Sequence, residues 1–306
     1  MRKTFLLVII ISIAQMSFAQ VVGGKQKKLE NYYKNEQWED CNFKADRMIL
    51  QEKYANDAEV YLYLASSYSK IFLMGLKDTM LIYKVPQYVD AYKLALKYSV
   101  TAKKKDKKAK IYFPANNFML EEIAITGIYY IDHYVSVNKL SKASSFMRKI
   151  LKTYSDVNLY FMQGVLCSMT GDTATGNPII RDVFKTMDTQ RPTTVEKTEF
   201  IMIDAFDLYT SFLLKKDPPL TDSARSVITR ALRYYPGDEL LSYYLKLIEN
   251  PELNIEKPAN SKKLAQLKQI EVRMPGDPEE EDDDSEDDES EDDEKSGKKE
   301  DKKKNK

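Results

Sequence analysis

From about Lys25 to Asn250, apolar and aromatic residues recur at steps of three and four, and strict alternation of apolar and polar residues is absent. That period puts the apolar positions on one face of a helix. Glycine is scarce over the same stretch. The pattern breaks near Asn56-Asp57, Gly75 to Asp78, Lys103 to Lys110, Ser155-Asp156, Gly171-Asp172, Gln190 to Thr194, Asp217 to Leu220 and Pro236 to Asp238. These breaks predict about nine or ten helices. Their apolar stripes are narrow, so the helices must pack on one another.

Two spacings recur along this body. The first places a small residue, an apolar one four later and a third three after that. It occurs as Ala224, Ile228 and Ala231, with Pro236 behind it. Gly176, Ile180 and Val183 repeat it, as do Ala143, Met147 and Ile150, then Ala91, Ala95 and Tyr98, and finally Cys41, Ala45 and Met48. Residues four and three apart share a helix face, and small ones there allow a neighbouring helix to come close. The second spacing is three, one, three. It is carried by Tyr61, Leu64, Ala65 and Tyr68, by Ile123, Thr126, Gly127 and Tyr130, and by Tyr160, Gln163, Gly164 and Cys167. Ile201, Asp204, Ala205 and Leu208 follow it more loosely.

Together the two spacings resemble the tetratricopeptide repeat, a helix–turn–helix unit of about 34 residues. Gly164, Gly171, Gly176, Ile180 and Val183 stand in that register, and the resemblance covers residues 25–250. The anchors Cys41, Ala91, Ala143, Gly176 and Ala224 are unevenly spaced, which calls for longer helices or inserted loops such as Phe72 to Pro86. The resemblance implies an all-α fold, an α-solenoid of stacked helix pairs with partner peptides held in a concave face of first helices. The groove residues it implies flank the matched small positions: Ser66, Ser69, Val165, Ser168, Phe206 and Tyr209, with Phe161 one step earlier.

The ends of the chain add the rest. Arg2 and Lys3 precede an apolar run from Phe5 to Ala14, and Ser17 and Ala19 are small residues before Gln20. Residues 1–19 therefore read as a cleaved secretory signal peptide. No later stretch is long and apolar enough to cross a membrane. Residues 20–250 form the helical domain. Residues 251–276 read as a linker in which Leu264, Leu267 and Ile270 could form a short helix. Residues 277–306 read as a disordered tail, acidic and then basic, because almost nothing apolar is left to offset ordering. The formal net charge of zero hides this division: 15 of the 18 residues from Asp277 to Glu294 are acidic, while residues 1–276 hold 40 basic and 30 acidic groups.

Little of this points to catalysis. The single histidine, His133, sits in the tyrosine-rich run IYYIDHYV. No nucleophile elbow, Walker loop, dinucleotide fingerprint or HExxH motif occurs. No catalytic set, cofactor or metal site is predicted. Cys41 and Cys167 are too isolated for a zinc site. They read as buried free thiols more readily than as a disulfide. Lys103, Lys104, Lys105, Lys107, Lys108 and Lys110 form a basic loop suited to anionic lipid or glycan. It lacks the interleaved aromatics that would suit nucleic acid, so no nucleic-acid partner is expected. An intramolecular contact between this loop and the acidic tail follows from their charges.

The expected function is a periplasmic scaffold or adaptor that binds protein partners of the bacterial envelope, as in secretion, motility or outer-membrane assembly machinery. Two other readings stay open. One is an envelope enzyme acting on glycan or peptide from an irregular helical fold. The other is a charge-driven module whose acidic tail binds cations or basic proteins. The signal-peptide reading has a direct consequence: the mature chain should begin at Gln20 and be released by osmotic shock. N-terminal sequencing that finds an intact Met1 in the membrane fraction would make the apolar run an anchor.

Overall fold

A computed structural model of the chain describes residues 24–77, 90–106, 115–189 and 196–263. Among them there are eleven α-helices, two short 3-10 turns and no strand. The helices are α1 Lys27–Lys34, α2 Trp38–Ile49, α3 Ala58–Lys77, α4 Ala91–Asp106, α5 Asn117–Ser136, α6 Leu140–Thr153, α7 Val157–Met169, α8 Thr173–Thr189, α9 Glu199–Leu214, α10 Thr221–Tyr234 and α11 Glu239–Glu249. The principal packing joins each helix to the next one or two along the chain. Successive helices pair: α1 with α2, α3 with α4, α5 with α6, α7 with α8, and α9 with α10. First helices also meet first helices, α1 with α3, α3 with α5, α7 with α9, and α9 with α11.

The recurring stripes account for this packing. All five copies of the four-then-three spacing lie on the second helices α2, α4, α6, α8 and α10. Cys41, Ala45, Ala91, Ala95, Ala143, Met147, Ile150, Ala224, Ile228 and Ala231 are fully buried. Ile180, Val183 and Met48 are nearly so, and Tyr98 alone of the non-glycine positions is half-exposed. The second spacing lies on α3, α5, α7 and α9. Its small residues meet the paired helix at backbone range. A Cβ added to Gly176 would come 2.7 Å from the carbonyl oxygen of Gly164, and one added to Gly164 would come 2.6 Å from Ile179 Cγ2. Glycine is required at both sites to let α7 and α8 approach this closely. Gly127 plays the same part in α5, where an added Cβ would fall 2.6 Å from Ile150 Cδ1 of α6.

Polar details fix where helices begin. Asp156 caps α7 by accepting from the Leu159 amide at 2.8 Å, and Asp238 caps α11 through the Leu241 amide at 3.0 Å. Thr198 Oγ1 donates to Asp156 at 2.6 Å and accepts from Asn158 Nδ2 at 2.7 Å, which ties the start of α9 to the start of α7. Gly171 and Gly237 take positive φ, 90° and 81°, in the turns before α8 and α11.

Three sequence expectations are corrected. Helix α3 runs through Gly75 to Lys77, so the insertion read from Phe72 onward begins in helix. Ile71, Phe72 and Leu76 are buried and hold that last turn. Lys103, Lys104 and Lys105 are also helical, on the last turn of α4. There Ser99, Ala102 and Asp106 face inward, which turns the lysines outward beside carbonyls that favour cations. Lys107, Lys108 and Lys110 lie outside the described residues. Residues 257–263 are the third correction: this part of the expected linker docks against the helices, as described below, while Leu264, Leu267 and Ile270 lie outside the described residues. The chain divides after Met274. The tail beyond it, its expected contact with the basic run, and the signal segment all lie outside the described residues. No described helix is long and apolar enough to cross a membrane.

Cys41 and Cys167 are free and buried, on α2 and α7. Burial pushes the Cys41 thiol up to about 11.

The small-residue seam on α10 can be probed directly. Ala224→Phe should overpack it at a cost of about 1–3 kcal/mol. Arg225→Ala removes an exposed pair with Glu249 at 3.8 Å and should change stability by less than about 0.5 kcal/mol. Thermal unfolding of both variants checks this, and equal effects would remove the seam argument.

Candidate functional site: a face that holds an extended segment

Of the implied groove residues, Ser168 and Tyr209 border one cleft of about 370 Å³ between α7 and α9, and the others are packed between helices. Ser66, Ser69, Phe161, Val165, Ser168 and Phe206 are all buried between helices. Ser69 Oγ donates to Thr126 Oγ1 of α5 at 3.2 Å, and the Phe161 and Phe206 rings lie 4.8 Å apart across α7 and α9. Ser66 is hydrogen-bonded to Tyr33 of α1, and Ser168 to Asn177 of α8. These positions are seams because a first helix is flanked by neighbours on several sides. On α7, for example, every residue from Phe161 to Ser168 is buried. Only Tyr209 is partly open. It lines a shallow cleft of about 620 Å³ with Phe184, Asp188 and Arg230. Asp188 accepts two hydrogen bonds from the Arg230 guanidinium, at 2.8 and 2.9 Å, which holds its carboxyl below the usual range.

The face the chain does use is marked by acidic residues on otherwise apolar first helices. In α9 (EFIMIDAFDLYTSFLL), Phe200, Asp204 and Asp207 recur at steps of four and three and so form one stripe. Asp132 sits near the end of α5. Residues 257–263 (KPANSKK) lie against these groups, antiparallel to α9. Lys257 pairs with Asp207 at 2.6 Å, and the Tyr244 hydroxyl donates to the same oxygen at 2.5 Å. The Lys257 ammonium also stands 5.4 Å from the centre of the Tyr244 ring. Further along, Asn260 is buried and its Nδ2 donates to Phe200 O at 3.0 Å and to Asp204 Oδ1 at 2.9 Å. Its side-chain oxygen accepts from the Lys263 amide at 3.1 Å and caps the helical residues 261–263 that follow. Lys262 pairs with Glu199 at the start of α9. Lys263 bridges two first helices, 2.8 Å from Asp132 of α5 and 2.8 Å from Asp204 of α9.

The arrangement holds residues 257–263 of the chain itself against α5 and α9. Asn260 satisfies a backbone carbonyl, a carboxylate and its own turn at once, so little else fits its place. Burial pushes the Asp132 carboxyl up to about 6, against the opposing pull of Lys263 and with the help of nearby Asp204. Burial also works to lower the Lys263 ammonium, but the two carboxylates outweigh it and raise Lys263 to about 12. Lys263 therefore stays charged and is held by charge-assisted bonds that partial burial strengthens. His133, next to Asp132 in sequence, is half-buried at the end of α5 with its ring 5.7 Å from that of Tyr134.

Sequence reasoning missed this site. Two signals were present: carboxylates within apolar first helices, and a lysine- and asparagine-bearing segment after the last helix. Neither has meaning until the 131-residue separation of Asp132 and Lys263 is closed.

The shifted carboxyl gives a pH signature. Asp132 in the folded chain holds its proton up to about pH 6, against an ordinary value of 3.8. Folding therefore takes up a proton between those values, and this position gains stability as pH falls through that window. The melting temperature of the unsubstituted protein, relative to Asp132→Asn, should rise from about pH 7 to about pH 4.5. A constant difference would assign the titration elsewhere.

No family model, no curated protein and no solved structure matches this chain.

Proposed function

We propose that the protein is an exported scaffold of the bacterial envelope: a solenoid of helix pairs like the tetratricopeptide repeat that holds extended segments of partner proteins on its first-helix face. One observation carries the reading. The chain's own residues 257–263 already lie along that face as a docked partner segment would, with side chains fixed by Asp132, Glu199, Asp204 and Asp207. Neighbour-to-neighbour packing supports it, because successive helix pairs bring first helices side by side, as α3 with α5 and α7 with α9. The signal-peptide pattern in residues 1–19 supports the location.

On this reading the docked segment is a tethered competitor. A partner of the same chemistry, basic and extended with an amide side chain between lysines, must displace it against the high effective concentration that tethering creates. A labelled peptide with the sequence of residues 252–263, added to the full-length protein, tests the face itself. It should bind Asn260→Ala/Lys263→Ala, whose own segment is loosened, at least about tenfold more tightly than the unsubstituted protein. Adding Asp204→Asn and Asp207→Asn to that variant should abolish the gain. A peptide that binds none of these proteins, or binds all alike, would remove the segment-binding reading. Partners then follow from photo-crosslinking in the native envelope with the reactive group at position 257.

A further inference from the structure

Helices α4 and α6 are both second helices, and they pack against each other. Neither makes a principal contact with α9. Their charge is one-sided. The only acidic residue of α4 is Asp106, buried at its last position, and α6 has none. Between them opens a cleft of about 640 Å³. Six lysines line it: Lys93, Lys97 and Lys104 from α4, and Lys142, Lys149 and Lys152 from α6. The spacing is helical on both sides, so each set forms one ridge facing the gap.

The floor differs from the rim. It is built from Leu96, Val100 and Phe146. Phe146 is held in an aromatic cluster, its ring 4.9 Å from that of Tyr130 and 5.7 Å from that of Tyr92. Phe72 of α3 packs on the same two tyrosines, at 5.1 and 5.4 Å. The floor is therefore anchored in the core and does not depend on the lysines for its shape.

Helix ends explain only part of this charge. Lys104, Lys149 and Lys152 lie toward helix C-termini, where exposed carbonyls favour cations, and Lys103 donates to the carbonyl of Lys152 at 3.2 Å. Lys93, Lys97 and Lys142 lie in the first halves of their helices, where the dipole disfavours them. Lys93 has Asp90 at 3.1 Å. Among the described residues, no carboxylate pairs with Lys97, Lys104, Lys149 or Lys152. A concentration of like charge around a concave apolar floor is what an anion with an apolar body complements.

We infer that the cleft between α4 and α6 is a binding site for an anionic amphiphile, a phosphorylated lipid whose phosphates meet the lysine ridges while its apolar part covers Leu96, Val100 and Phe146. The volume is in the range of sites that enclose a small molecule, about 300–1,000 Å³. Lysines suit phosphates held as point charges without fixed orientation. Among the described residues that line it, the cleft has no arginine and only two aromatic rings, Tyr134 and the core-anchored Phe146, which sets it apart from a nucleic-acid groove of successive stacking platforms. This site is independent of the segment-binding face and uses none of its residues.

Calorimetric titration of the full-length protein tests it with three soluble probes: dodecyl phosphate below its micelle concentration, inorganic phosphate, and a neutral dodecyl maltoside. Dodecyl phosphate should bind saturably, one molecule per chain, at least about tenfold more tightly than either control probe. The triple variant Lys97→Gln/Lys149→Gln/Lys152→Gln should lose about tenfold or more of that affinity. A triple with the same charge change elsewhere, Lys28→Gln/Lys185→Gln/Lys246→Gln, should stay within about twofold. Val100→Gln, which keeps every lysine, should weaken dodecyl phosphate and leave inorganic phosphate unchanged. Equal binding of phosphate and dodecyl phosphate, or equal loss in the two triples, would overturn the site. Co-sedimentation with vesicles of zwitterionic lipid, with and without added anionic phospholipid, then tests the source. Retention only on the anionic vesicles, lost in the first triple, supports a lipid ligand. Dodecyl phosphate binding without vesicle retention would overturn the lipid assignment in favour of a soluble amphiphile.

Discussion

Close approach between paired helices is the constraint from which the rest of this structure follows. A second helix with alanine, glycine or cysteine at the start of its stripe can lie almost backbone to backbone on its first helix. Gly164 and Gly176 show the limit, since neither has room for a methyl group. Packing of this kind is satisfied by immediate neighbours, and the principal contacts reach no further than two helices along the chain. A bulky residue at one seam is felt by the pairs on either side.

The same arrangement decides where polar chemistry can sit. First helices are enclosed on several sides, so any carboxylate on them must reach a narrow open strip or find a partner. Asp132, Asp204 and Asp207 do both, and the partner is the chain's own Lys257–Lys263 segment. Second helices keep a wider outer surface, and there α4 and α6 carry lysines on either side of an apolar floor. Two faces of one stack thus differ in sign: acidic carboxylates under the docked segment, ammonium groups along the α4–α6 cleft.

How much of this was legible in the sequence depends on the range of each signal. The stripe Ala224, Ile228, Ala231 and its four counterparts follow from local periodicity, and all five fall on second helices with their small residues buried. The turns at Gly171 and Gly237 were legible for the same reason. Helix ends were less so: α3 continues through Gly75 because Ile71, Phe72 and Leu76 are buried by neighbours that the local pattern does not reveal. The site was the least legible part. Flanking positions such as Phe161 and Phe206 were read as surface because a pattern along one helix does not count how many helices surround it. Asn260 meets Asp204 across 56 residues, and nothing near either one announces the other.

The two thiols set up a race between chemistry and folding. Cys41 and Cys167 lie on α2 and α7, which share no principal contact, and both are sealed from solvent in the finished stack. In the native state both are free thiols, and the buried Cys41 holds its proton so firmly that it offers almost no thiolate for exchange. The unfolded chain has neither protection. Under oxidising conditions, the thiols are sheltered only once the helices have closed over them. Burial by the closing helices is thus the event that takes both sulfurs out of redox chemistry.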